Sequence, residues 1–242
     1  MGRFRQLVRK IPGTVYLYRK FVALRYRFLP PENVFTEIYE KNLWGGEQSR
    51  SGPGSDPNQT NKLVNELPAL LHRYQVKSML DIPCGDFQWM VKVDLTGIVY
   101  HGADIVEPLI EKNIREYQDE HRKFSKINLL EDPLPPGDLI LCRDCLVHLS
   151  YRDILLALKN ISNSKSKYLL TTTFSARKEN QDIVTGQWRP INLQAPPFSL
   201  PEPVTLYDEE CVEAEGLYRD KMLALWEIDT LKQLFESGKL AT

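Results

Sequence analysis

From residue 76 onward the chain alternates short apolar runs with amphipathic segments, and that alternation leaves few folds open. Met79, Leu80 and Ile82 read as a buried strand, followed by VYHGADI (99–105), KFSKINLL (123–130), DLILCRD (138–144) and KYLLTTTF (167–174). Helical spacing is expected between them at 87–91, 108–117 and 151–161. The last of these is opened by Ser150 and Asp153 at capping-box spacing, with Ile154, Leu155, Leu158 and Ile161 on one face. VTLYDE and KMLALWEI are expected to close the sheet. Strands alternating with helices predict an α/β chain with a doubly wound, mostly parallel sheet covered on both faces.

With 242 residues, 42% of them hydrophobic, the chain is long enough for one well-buried core. Three regions are expected: a basic helical extension over 1–34, a Gly/Ser-rich lid loop over 35–59, and the α/β domain over 60–242 with a polar insert at about 175–203. Thr60 is expected to cap a helix carrying Leu63, Val64, Leu67, Leu70 and Leu71, kinked at Pro68. Residues 1–30 hold eight Lys or Arg and no acid. Subtracting that +8 from the total of −1 leaves −9 on the remainder. The opening segment is too interrupted to span a bilayer. It suits an anionic membrane surface, a glycosyltransferase partner working there, or its own domain with the basic face solvated. The total charge gives no nucleic-acid footprint.

Cys84, Cys142, Cys145 and Cys211 form no disulfide framework, and no signal peptide precedes them, so a reducing cytoplasmic setting is expected, with peripheral membrane attachment left open. Cys142 and Cys145 form a C-x-x-C without a second pair, which favours buried thiols over a zinc site.

The ligand site is expected where the first strand hands over to Asp81, Pro83, Cys84, Gly85 and Asp86, since open α/β sheets bind ligands beyond their strand ends. Gly85 has no Cβ and lets a ligand approach the backbone. Asp104 lies 23 residues after Asp81, at the end of the second strand, where an acid can accept both hydrogen bonds of a ribose diol. Asp81 is suited to holding loop N–H groups or to contacting the ligand.

The LDIPCGD run resembles the glycine-rich motif of class I S-adenosylmethionine-dependent methyltransferases, over roughly residues 60–242. Pro83 stands where that motif has its leading glycine. The resemblance implies a Rossmann-like seven-stranded sheet and S-adenosyl-L-methionine as cofactor. It implies cofactor contacts at Asp81, Pro83, Cys84, Gly85, Asp104 and Ile105. It extends them to Asn128 and Leu129 at the end of the third strand, where the adenine is read, and to Trp44, Ser55, Thr60 and Arg143. With SGPGS upstream and RDCLVHLS downstream, the chain also resembles a group associated with surface-glycan methylation. A nicotinamide enzyme is the competing reading of the same fold, and it is weakened because no G-x-G-x-x-G is present.

A hydroxyl acceptor needs its proton removed, and His148 is expected to be the general base, with Asp144 orienting it or binding the acceptor hydroxyl. Four apart, the two would share a face on one helical turn. The insert is expected to form the acceptor site, with Trp188 as an aromatic platform flanked by Asn180, Asp182, Arg189 and Asn192. That combination suits a sugar or glycan precursor, small or lipid-linked. No metal site is expected, the four histidines being scattered. The alternatives are methyl transfer to a nitrogen or carboxylate of a metabolite or peptide, and a non-catalytic cofactor-binding subunit that tethers a glycosyltransferase.

Overall fold

The computed structural model describes residues 22–46 and 48–242. The membrane and partner roles expected for the basic start of the chain fall mainly on residues outside the described ones.

Helices α1 (Pro31–Glu40) and α2 (Pro57–Arg73) precede the sheet. Its strands are β1 (Ser78–Asp81), β2 (Val99–Asp104), β3 (Arg122–Lys126), β4 (Leu139–Cys142), β5 (Tyr168–Phe174), β6 (Thr205–Asp208) and β7 (Lys221–Glu227). Helices α3 (Glu107–Tyr117), α4 (Tyr151–Asn163) and α5 (Ile228–Glu236) complete the fold. The strand order is β3-β2-β1-β4-β5-β7-β6, parallel from β3 to β5, with β7 antiparallel to both of its neighbours. The chain leaves β1 for β2 on one side and returns beyond β1 at β4. The loops after β1 and β4 therefore diverge and open a crevice.

Alternation along each strand divides the core. In β4, Ile140 and Cys142 join Leu80, Leu169, Ala224 and Trp226 beneath Ile154, Leu158 and Ile161 of α4 and Leu231 of α5. Leu139 and Leu141 point the other way, joining Met79, Leu170, Leu223 and Leu225 against Leu63, Leu67 and Leu71 of α2 and Leu109 and Ile110 of α3. Strands buried on both faces read as continuous apolar runs, which is why LILC and YLLTTTF stand out in the sequence.

Several boundaries differ from the sequence reading. Residues 35–40 are helical rather than lid, because Val34 and Ile38 bury one face of α1 against Tyr26. Helix α2 begins at Pro57 with Asp56 as its N-cap residue. Thr60 lies inside the first turn and donates to the Asp56 carbonyl at 3.1 Å, so it does not cap the helix. The helix expected at 87–91 is absent. Phe87 has φ +60°, which an α-helix does not tolerate, and only a 3₁₀ turn at Met90–Lys92 forms in the connection from β1 to β2. Phe87 and Met90 fill the space of that missing helix, both buried beside Tyr100 and Phe124. Strand β3 stops at Lys126, and helix α5 after β7 was not anticipated. The cap of α4 is as expected, with the Asp153 N–H donating to Ser150 Oγ at 3.2 Å.

Candidate active site

Two adjoining clefts occupy the crevice beyond the carboxyl ends of β1, β2 and β4. The first, about 1070 Å³ including space open to solvent, is lined by Asp81, Pro83, Cys84 and Gly85, by Asp104 and Ile105, by Asn128 and Leu129, and by Arg143, Asp144 and His148. The second, about 840 Å³ on the same basis, runs from Gly52 and Gly54 to Phe174, Trp188, Cys211, Glu213, Tyr218 and Lys221. Trp44, Ser51, Ser55, Asp144 and His148 line both, so they form the boundary.

Burial raises Asp81 to about 7, against the hydrogen bond it accepts from the Tyr100 hydroxyl at 2.6 Å. Asp104 is raised to about 6 for the same reason, although its carboxylate accepts from the N–H groups of Gly85 (3.2 Å) and Val106 (3.0 Å). Neither forms an ion pair among the described residues. The β1 loop is braced from behind by Asn113 of α3, which is fully buried and donates to the Gly85 carbonyl at 2.8 Å. Nothing in the sequence marks Asn113 except its position on the apolar face of an amphipathic helix.

Gly85 has φ +56°, and a Cβ there would lie 2.4 Å from Ser51 Oγ. Its role is therefore to admit the 44–55 loop as well as a ligand. Gly85→Ala is expected to lose about 1–2 kcal/mol from the left-handed backbone alone. A lowered urea midpoint at unchanged m would register that loss, and an unchanged midpoint would refute it.

The 44–55 loop is tied over the crevice at both ends. Asp86 accepts from Ser49 Oγ (2.9 Å) and the Arg50 N–H (3.0 Å), while its own N–H donates to Ser51 Oγ (2.9 Å). At the far end, Arg143 donates to the Gly54 carbonyl at 2.9 Å. Trp44 lays its indole against the His148 ring, with centroids 4.6 Å apart and planes inclined by 31°.

His148 sits in a 3₁₀ turn (Leu146–His148), while Asp144 has φ +52°, so the pair does not share a helical face as expected. Nor does Asp144 hydrogen-bond the imidazole. His148 Nδ1 lies 3.0 Å from the Gln187 carbonyl. A carbonyl only accepts, so Nδ1 carries the proton and Nε2 keeps its lone pair. Burial lowers His148 to about 4, which leaves it neutral at physiological pH.

Asp144 belongs instead to a quartet of charges, of which it is the half-buried member and Arg143, Glu209 and Lys221 the buried ones. Lys221 Nζ is 2.6 Å from Asp144 Oδ2 and 3.5 Å from Glu209, while Arg143 is 2.5 Å from Glu209 and 3.2 Å from Asp144. Burial pushes the Asp144 carboxyl up, but Lys221 and Arg143 outweigh it and hold it at about 2. Burial likewise opposes the Lys221 charge, and Asp144 and Glu209 more than offset it. Arg143 also lies over the Trp89 ring, 5.4 Å from its centroid. Glu209 and Lys221 went unnoticed in the sequence because they lie 66 and 77 residues from their partners.

The insert is corrected most. Of its five expected acceptor residues only Trp188 lines a cleft. Asn180 donates to the carbonyls of Asn192 and Pro196 and accepts from the Asn192 N–H, all at 2.8 Å. Asn192 donates to the Arg177 carbonyl, and Asp182 accepts from the Tyr151 N–H at the start of α4. Arg189 is buried and donates to the carbonyls of Leu146 and Leu149, both at 2.8 Å. The Gly186 N–H donates to the His148 carbonyl at 2.8 Å. These polar groups satisfy backbone that would otherwise be unpaired, and they clamp the turn that carries His148. Two cofactor assignments also shift. Thr60 lies outside the first cleft, and Asn128 has both ends of its side chain engaged locally, accepting from the Leu130 N–H and donating to Glu131.

Among the described residues no group of three or more His, Cys, Asp or Glu is arranged to hold a metal, and no helix is long and apolar enough to cross a membrane. Cys142 and Cys145 are free thiols.

The seven-stranded order with an antiparallel β7 defines the Rossmann-like methyltransferase fold. The chain is similar to human N-acetylserotonin methyltransferase in complex with SAM, with a TM-score of 0.57 at 13% identity, covering 82% of this chain and 60% of that one. It is also similar to the N-methyltransferase NodS from Bradyrhizobium japonicum WM9, with a TM-score of 0.50 at 16% identity, covering 72% of this chain and 98% of that one. At these identities the likeness is one of fold. No protein-family model and no curated protein matches the chain.

Proposed function

We propose that the protein is an S-adenosylmethionine-dependent methyltransferase acting on a hydroxyl of a sugar or glycan precursor. The observation that carries this reading is the meeting of the two clefts at His148, whose Nε2 lone pair has no partner among the described residues.

The first cleft fits the cofactor. Asp81 and Asp104 are buried carboxylates without ion-pair partners among the described residues, suited to a ligand that brings positive charge and a ribose diol. The same pair repels a diphosphate, and no α-helix starts at the end of the β1 loop to receive one. Both points count against the nicotinamide reading.

When bound, S-adenosylmethionine supplies a methyl group already activated by a positive sulfur. The protein's own work is then alignment, which alone contributes roughly 7 kcal/mol at the lower end. Trp44 and the Gln187 carbonyl fix the His148 ring, and Nε2 accepts the acceptor's proton as the new O–C bond forms. Trp188 and Tyr218, backed by the buried Phe174, offer ring surface to the C–H faces of a sugar, and Asp144 and Glu213 offer acceptors to its hydroxyls. The low basicity of His148 favours a second reading, transfer to nitrogen, because an amine needs no strong base before it attacks.

Titration of Asp81 and Asp104 provides the test. Both are raised above the ordinary carboxylate value, so the free protein holds protons on them below about 7 and about 6, and a cationic ligand has to displace those protons. S-adenosylmethionine is expected to bind on the order of a hundredfold more weakly at pH 5.5 than at pH 8, most of it through Asp81. Asp104→Asn should remove the smaller limb near 6 and leave the one near 7. Calorimetry that detects no binding at either pH would refute the cofactor assignment. Product linkage determined by NMR on a glycoside panel decides between oxygen and nitrogen.

A further inference from the structure

We infer that the acceptor carries a protonated amino group held between Glu213 and the Trp188–Tyr218 rings, and that acceptors bearing phosphate or carboxylate are rejected. The inference rests on the functional reading above only for assigning the second cleft to the acceptor.

The charges of that cleft support it. Asp144, Glu213 and Lys221 line it, beside a His148 that is neutral. Lys221 is committed, with Nζ 2.6 Å from Asp144 and 3.5 Å from Glu209 and its side chain 5% exposed. Asp144 is shared between Lys221 and Arg143, and Arg143 is shared with Glu209. These four charges cancel, so the cleft has no spare cation to receive a phosphate or carboxylate.

Glu213 stands outside that balance. Its carboxylate has no hydrogen bond and no ion pair among the described residues, and burial raises it above the ordinary value against the pull of Lys221 and Arg143. Its Oε1 lies against the tied loop, where a Cβ on Gly54 would come within 3.1 Å of it. Lys221 and Arg143 attract Glu213 only from beyond ion-pair distance, so this partly desolvated carboxylate gains from a ligand that supplies a closer counterion.

The neighbouring rings suit the same ligand. Trp188 and Tyr218 pack edge to face with centroids 4.9 Å apart, and Phe174 lies 6.2 Å from Trp188. Arg177, paired with Asp220, already covers Phe174 and Tyr218 at 5.9 Å each. Trp188 is 40% exposed and has no cation over it among the described residues. A carboxylate and an exposed indole lining one cleft are a pairing suited to ammonium groups.

The experiment uses three probes: methyl glucosaminide, its N-acetyl derivative and methyl glucuronide. Each is titrated calorimetrically into the full chain with and without saturating S-adenosylhomocysteine, at a pH where the amine is protonated. The amine probe is expected to bind roughly tenfold more tightly than the N-acetyl probe, with the glucuronide weakest. Glu213→Gln should erase the preference. That side chain has no partner to lose, so the fold is not at risk, and an unchanged affinity for S-adenosylhomocysteine in the variant verifies it. Equal binding of the amine and N-acetyl probes, or tighter binding of the glucuronide, would overturn the inference. Failure of S-adenosylhomocysteine to bind overturns the cofactor assignment instead, and the titrations without it still read the amine preference.

Discussion

His148→Ala is expected to lower turnover about a hundredfold while leaving the affinity for S-adenosylhomocysteine nearly unchanged. The imidazole touches both clefts but among the described residues hydrogen-bonds only Gln187, so its loss removes a proton acceptor rather than a cofactor anchor. The size of the effect follows from its basicity. A base whose pKa burial has lowered to about 4 assists at the lower end of the usual range. The two pH limbs should separate. Turnover at saturating cofactor stays flat until the pH falls toward 4, whereas the cofactor's KM rises already below about 7 as Asp81 and then Asp104 take up protons. His148→Gln, which keeps a donor but lacks the ring, should not rescue turnover. A variant retaining more than a third of wild-type turnover, on the order of one RT in barrier height, would remove His148 from the mechanism.

Glu209→Ala is expected to have the largest effect on stability, about 3–5 kcal/mol, because it leaves the buried Arg143 and Lys221 with Asp144 as their one ion-pair partner among the described residues. Each of those two cations has a side chain 5% exposed, so water cannot replace the lost carboxylate. Removing the opposing charge as well, in Glu209→Leu/Arg143→Met, should restore part of the loss, since a buried ion pair contributes little net stability compared with apolar groups of similar volume. Chemical denaturation measures both variants. A single variant within about 0.5 kcal/mol of wild type, the scatter of ordinary surface substitutions, would mean that the quartet does not act as a unit.

Much of the scaffold was legible because buried parallel strands require continuous apolar runs, as in LILC and YLLTTTF. The helix expected after Gly85 was misread because a helix is the common continuation at that point. Here Phe87 takes a left-handed backbone and buries its ring beside Tyr100 and Phe124, and apolar content alone cannot distinguish that from a helix. In the site, acids at strand ends were legible by position, as Asp81 and Asp104 show. Polar residues of the insert were not. Asn180, Asp182, Arg189 and Asn192 have the composition of a sugar site, yet they spend their hydrogen bonds on backbone. Pairings such as Arg143 with Glu209 require the folded chain to bring them together, and no local pattern announces them.

The loop tied to Asp86 and Arg143 also bears on timing. Its bonds are made within the chain, to Asp86 and Arg143 on the walls of the crevice. Passage of a ligand through that side requires the Ser49, Arg50 and Ser51 bonds to break. The Asp86 amide then becomes the clock, because its hydrogen-exchange rate counts how often the loop opens.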